Sequence, residues 1–239
     1  MGEFAVAIYR RAEALGIPKD KILDSIYSVP TSKLAFEFTM FVYEKLGLNV
    51  CNLAEQFNSY DLLKVKDEND KIDYEKICAI LSQNKPFNEI TIDDEIAEGD
   101  EKVNFDVVVG NPPYQLEGNN NGRKPPIYHS FMEISYALSK IATLITPARF
   151  LFDAGQTPKE WNEKMLNDEY LQVLSYEPTA SNVFPEAEIK GGVAITQHNT
   201  SNKVGKIGIF TSYVQLNGVL QKVEHYESGN LFLDSIIAS

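Results

Sequence analysis

A chain of 239 residues with 44% hydrophobic content can bury one sizeable core, or one core and a small appendage. No apolar run reaches the roughly 20 residues that span a bilayer and no leader pattern opens the chain, so no membrane segment is expected and a cytoplasmic location fits. Cys51 and Cys78 in so long a chain make no disulfide framework, and with His129 and His198 spread singly no metal-ligand spacing forms. The formal net charge of −12 argues against tight nucleic-acid binding. The charge is uneven, however: acid concentrates between Lys66 and Lys102, read as a solvated insertion, while Arg123, Lys124, Arg149 and Lys190 follow.

In chain order, "EFAVAIYRRAEALG" predicts a helix with Phe4, Ala7, Ile8 and Leu15 at helical spacing and Gly16 as its stop. "KILDSIYSV" predicts a short strand, and "KLAFEFTMFVYEKLG" a second helix closed by Gly47. "NVCNLAEQFNSYDLL" reads as a short strand and a loop, and "DYEKICAILSQ" as a helix. Val107–Val109 is a strand that runs into Asn111-Pro112-Pro113-Tyr114, followed by the polar loop "GNNNGRKPP". A helix from about Tyr128 to Lys140, on which Tyr128 and Phe131 are core positions, feeds the strand "IATLITP". "TPKEWNEKMLND" predicts a helix capped by Thr157 with Pro158 at its first position. "YLQVLSYEP" and "GGVAITQHN" are further strands, and from Ser201 the pattern is β-rich. Strands alternating with helices predict an α/β fold: a doubly wound, mostly parallel sheet, with ligands beyond the carboxyl ends of its strands.

The tetrapeptide lies at that edge. Two prolines stiffen the loop and orient its carbonyls. The Asn111 side-chain oxygen and the Pro112 carbonyl can together accept from an exocyclic –NH2, aiming its lone pair outward, and the Tyr114 ring offers a face for a planar base or amide. A turn with a core tyrosine is the plainer alternative.

Asn111-Pro112-Pro113-Tyr114 resembles motif IV of S-adenosylmethionine-dependent amino-methyltransferases. "YHSFMEISYAL", "IATLITPARFLF" and "NVFPEAEIKGGVAITQHN" look like the following segments of bacterial restriction–modification adenine methyltransferases, and "MGEFAVAIYRRA" resembles the tail of their cofactor loop and its helix. The resemblance implies S-adenosylmethionine as cofactor, held through Gly2, Phe4, Asp61 and Asn111. It implies DNA with a flipped adenine as substrate, handled by Asn111, Pro112, Pro113 and Tyr114, with Phe184, Ile189 and Lys190 lining the base pocket. A restriction endonuclease or specificity region is the implied partner. Residues 1–200 would form the catalytic core, and 201–239 an extension leading toward a target-recognition region.

Three departures qualify that expectation. The family's strand ending in Asp-Pro-x-Cys-Gly-x-Gly has no counterpart before Gly2, so a sheet lacking its central first strand is expected, with weak cofactor binding. "YSVPTSK" has no acid where the family holds the cofactor ribose, leaving Thr31 or Ser32 there. Only about 40 residues follow Asn199. Alternatives are methylation of a protein glutamine, which the same two acceptors suit, and a non-catalytic remnant or module that stacks unpaired nucleic acid on Tyr114.

Overall fold

The computed structural model describes residues 2–95, 102–116, 124–185, 189–213 and 216–219. The chain is mixed α/β and divides into two compact units, residues 1–113 with 130–139, and residues 114–129 with 140–239.

In the first unit, α1 (Glu3–Ala14), α2 (Lys19–Ser25) and α3 (Lys33–Leu46) share a core of Ala5, Tyr9, Ile22, Ile26, Tyr43, Leu48 and Leu53. α3 starts where Ser32 accepts from the Ala35 N–H at 3.2 Å, and ends at Gly47, whose left-handed backbone closes the expected stop. Tyr43 is fully buried, and its hydroxyl donates to Ile26 O at 3.1 Å and meets Ser28 Oγ at 2.9 Å. Burial pushes that phenol up to about 12, although the Ser28 bond opposes the shift.

The strand expected at "KILDSIYSV" is mostly helix. Ile22, Leu23 and Ile26 suit a helical stripe as well as a strand, and Asp20 sits in the first turn, where the helix dipole favours an acid. Only Ser28 keeps strand pairing, as a parallel bridge to Leu53. The strand expected near "NVCNL" is likewise a 3-10 turn, Val50–Asn52, with that bridge at its end. α4 (Ser59–Leu62) and α5 (Tyr74–Leu81) follow. Asp73 caps α5 by accepting from the Lys76 N–H at 2.9 Å, and α5 buries Ile77, Ile80 and Leu81. β1 spans Phe105–Gly110, framing the expected strand.

α6 (Tyr128–Leu138) buries Tyr128 and Phe131, as their spacing implied. β2 (Ser139–Pro147), α7 (Lys159–Asn167), β3 (Leu171–Glu177) and β4 (Val193–Asn199) follow. The four-stranded sheet has the order β1-β2-β4-β3. β4 runs antiparallel to β2, with Ile145 opposite Ile195, and antiparallel to β3, with Tyr176 opposite Ala194. β4 is thus an antiparallel strand in a mixed sheet, while β2 and β3 share one direction, as the alternation of strands and helices implied. β2 and β3 point the same way because α7 lies in their crossover. Among its described residues the β3–β4 connection holds a short 3-10 turn and no longer helix, and β4 returns in the opposite direction and inserts between them.

Thr157 does not cap α7. Pro158 is the capping residue, and Thr157 Oγ1 donates to Asn162 Oδ1 at 2.7 Å instead. The β-rich pattern expected after Ser201 shows no strand among described residues 201–213, and 216–219 are helical; residues 214–215 and 220–239 lie outside the described residues. No helix among the described residues is long and apolar enough to cross a membrane.

Candidate active site

β1 carries Val107–Val109 to Gly110, and the prolines that follow stop it. Beyond the tetrapeptide the chain pairs with itself. Ile127 N–H donates to Tyr114 O at 3.0 Å, Leu116 N–H donates to Pro125 O at 3.2 Å, and Gln115 bridges Pro126 antiparallel. The tetrapeptide is thus clamped between a strand and a short ladder. Most of the polar loop joining the ladder's sides, residues 117–123, lies outside the described residues.

Asn111 is exposed, and its side chain makes no hydrogen bond among the described residues, so its amide is open to a ligand. Pro112 and Pro113 are half-buried. Tyr114 is also half-buried, but its hydroxyl is enclosed without a hydrogen-bond partner among the described residues, and burial pushes the phenol well above its ordinary range. The polar end therefore points inward and the ring body is the part left for contact. That ring meets Phe184 edge-on, with centroids 6.4 Å apart at 74°.

Phe184 is placed by the β3–β4 connection. Glu177 accepts from the Thr179 N–H at 2.8 Å and from Asn182 Nδ2 at 3.1 Å, fixing the turn Ala180–Asn182, and Phe184 N–H then donates to Ala180 O at 2.8 Å. Ile189 is half-buried and Lys190 exposed in the same connection. It closes with Gly191 and Gly192, both in the left-handed region. A Cβ on Gly192 would collide with the Glu177 carbonyl oxygen and lie 2.8 Å from Pro178 Cα.

The other cofactor candidates divide. Gly2 is the left-handed cap of α1, and a Cβ there would come 3.0 Å from Val42 Cγ2, so the position has room for glycine alone. Phe4 is 42% exposed at the start of the same helix and can cover a planar ligand. Asp61 does not fit as a free acid: Oδ2 accepts from the Asn58 N–H at 2.9 Å and Oδ1 meets Lys64 Nζ at 2.6 Å. Burial raises its carboxyl, but these two partners outweigh burial and hold it below its ordinary value. Ser32, considered for the ribose, is occupied as the cap of α3.

Two features escaped sequence reasoning. The ladder from Tyr114 to Ile127 was hidden by the polar loop between its sides. The stem of Arg149 lies against Gly191, and the Gly-Gly pair after Lys190 was the signal for it.

Residues 24–184 match a family described as Eco57I restriction-modification methylase. That span contains Asp61, the tetrapeptide and Phe184, and leaves out Gly2, Phe4 and Lys190. An "uncharacterized adenine-specific methylase" of Mycoplasma pneumoniae (strain ATCC 29342 / M129 / Subtype 1) is 31% identical over 108 residues, which cover 42% of this chain and 25% of that relative. The chain thus spans about a quarter of the length of the curated relative it matches.

Proposed function

Because the chain belongs to the Eco57I restriction-modification methylase family, we propose that it serves methyl transfer from S-adenosylmethionine to the exocyclic amine of adenine in DNA. The observation that carries this reading is the tetrapeptide itself. An unengaged Asn111 amide and a rigid Pro112 carbonyl stand at the end of β1, next to a tyrosine ring whose hydroxyl is turned inward.

Asn111 and Pro112 accept the two N–H bonds of the amine, which leaves the nitrogen lone pair directed away from them. The cofactor supplies an electrophilic methyl carbon. With the cofactor bound, the amine held by Asn111 and Pro112 would be placed to take up that methyl group from the sulfur and would lose its proton to water afterwards, so no strong base is required of the protein. Tyr114 stacks on the base, which must leave the duplex because its amine is otherwise paired and shielded. Phe184, edge-on to Tyr114, borders the same ring. Gly2 and Phe4 contribute to holding the cofactor.

Methyl transfer from radiolabelled S-adenosylmethionine to adenine-containing DNA tests the assignment. In the full-length protein, Asn111→Ala abolishes transfer, a loss of at least roughly 10²–10³-fold, while calorimetric cofactor affinity stays nearly intact. Full activity in that variant would sink the reading, and transfer to glutamine peptides in place of DNA would redirect it to the protein substrate.

A further inference from the structure

Within the unit of residues 114–129 and 140–239, Arg149 is a cation with a cradle built around its stem. It follows β2 in the 3-10 turn Ala148–Phe152 and is exposed. A Cβ on Gly191 would lie 2.6 Å from Arg149 Cγ, and one on Gly155 would lie 3.8 Å from its Nε. Absence of a side chain is what lets the Gly191 backbone come so near. An ordinary surface arginine waves its stem in solvent; this one runs between two backbone turns.

Those turns are themselves fixed. Thr157, two residues past Gly155, donates to Asn162 Oδ1 at 2.7 Å, and Asn162 Nδ2 donates to Asp153 Oδ1 at 3.2 Å. Gly191 O accepts from the Tyr176 hydroxyl at 3.3 Å.

The guanidinium itself has no ion pair or hydrogen bond among the described residues. That is unexpected in a chain with 34 acids against 22 lysines and arginines. Among the described residues, Asp153 is engaged with Asn162, and Glu177 with Thr179 and Asn182. Lys190, exposed and beside Gly191, adds a second positive charge. A fork of donors on a pre-set stem, with no carboxylate partner among the described residues, suits an oxyanion bound by two parallel hydrogen bonds.

We propose that Arg149 binds a backbone phosphodiester of the DNA strand whose base Tyr114 receives. This deepens the DNA reading and rests on it. Phe184, which meets Tyr114, and Gly191, which meets Arg149, stand seven residues apart in the chain. A nucleotide offers that same pairing, a flat base and a phosphate a few bonds away.

Fluorescence anisotropy with the 239-residue chain and a labelled single-stranded oligodeoxynucleotide, titrated across salt concentrations, tests the proposal. Arg149→Gln weakens binding roughly tenfold and lowers the salt slope by about one, equally for strands with and without adenine. Arg149→Lys keeps the slope, because the charge remains, but loses part of the affinity with the fork. Gly191→Ala, which keeps the charge and displaces the stem, falls between the two. Thermal melts of each variant are compared with the unaltered chain, so that lost binding is not mistaken for lost fold. Unchanged affinity and slope in Arg149→Gln overturns the proposal. So does a loss confined to adenine-containing strands, or binding of free pyrophosphate without binding of the oligonucleotide. Failure of the methylation reading looks different: Arg149-dependent DNA binding persists, and no methyl group is transferred.

Discussion

In the turn from Asn58 to Lys64, both oxygens of Asp61 are taken, one by the Asn58 N–H and one by Lys64, and Asn58 in return accepts from the Tyr60 N–H at 2.9 Å. The polar groups of Asn111, Tyr114 and Arg149 are not matched in this way. Among the described residues the Asn111 amide has no partner, the Tyr114 hydroxyl is enclosed without one, and the Arg149 guanidinium has no acid partner. Both stretches looked chemical as sequence. The difference teaches that a carboxylate whose lone pairs are filled by its own turn is scaffold, whereas open donors and acceptors on a rigid frame mark where a ligand completes the bonding.

The largest effect should fall on that frame. Gly192→Ala drives a Cβ into the Glu177 carbonyl at a backbone angle of +77°, and backbone on both sides cannot yield cheaply. A loss of at least about 3 kcal/mol is expected, which lowers Tm by roughly 6–12 °C in a domain of this size. A variant that melts with the unaltered chain would mean that the connection holding Phe184 is not rigid, and the comparison would lose one side.

Next in size is the ring. Tyr114→Ala removes a stacking face worth about 1–3 kcal/mol per base, so adenine-strand binding should weaken by roughly 5- to 100-fold. Tyr114→Phe retains the ring and deletes a hydroxyl that has no partner, so binding and transfer should persist, with equal or slightly higher stability. Equal losses in both variants would show that the hydroxyl, not the ring face, does the chemistry.

Asp61 supplies the opposite control. Asp61→Asn weakens a capping box and an ion pair, costing about 1 kcal/mol by chemical denaturation, with cofactor affinity unchanged. The folded carboxyl titrates below its ordinary value, so its contribution is fully present above the unfolded pKa, near 4, and is lost as pH falls through the lower folded value. The gap between Asp61→Asn and the unaltered chain should therefore close in acid. A large drop in cofactor binding would move Asp61 from scaffold to site.

Much of this was legible from residues alone, and the failures have physical causes. α3 was readable because Ser32 and Gly47 bracket an amphipathic run, and β1 because two prolines end it. The "KILDS" helix was not, since five to nine residues with apolar positions at mixed spacing satisfy both periods and only packing of Ile22 decides. Strand direction was hidden because it depends on what joins β3 to β4, and a 3-10 turn with a Gly-Gly close leaves no periodic signal. The tetrapeptide announced its chemistry, while the edge-on meeting of Tyr114 with Phe184, seventy residues apart, required the fold.

The smallest effect sharpens the rule about open groups, because the core contains open groups too. Thr196 Oγ1 has no hydrogen-bond partner among the described residues and the residue is 1% exposed; Thr146, fully buried, is the same. Leu144 pairs with Thr196 and Thr146 with Ala194, so both hydroxyls face one side of the β2–β4 pair, diagonal to each other. No ligand reaches a group sealed to this degree, and an unsatisfied hydroxyl there is a cost with no return in binding. Valine has the same branched shape, keeps the strand preference and removes the polar atom. Thr196→Val should therefore raise stability by about 0.5–1 kcal/mol, with DNA binding and methyl transfer unaltered. Tyr114 differs only in accessibility, since its ring stays half-exposed while its hydroxyl is sealed. If Thr196→Val instead lowered transfer, sealed and reachable open groups could not be told apart by exposure, and the distinction between scaffold and site would need another criterion.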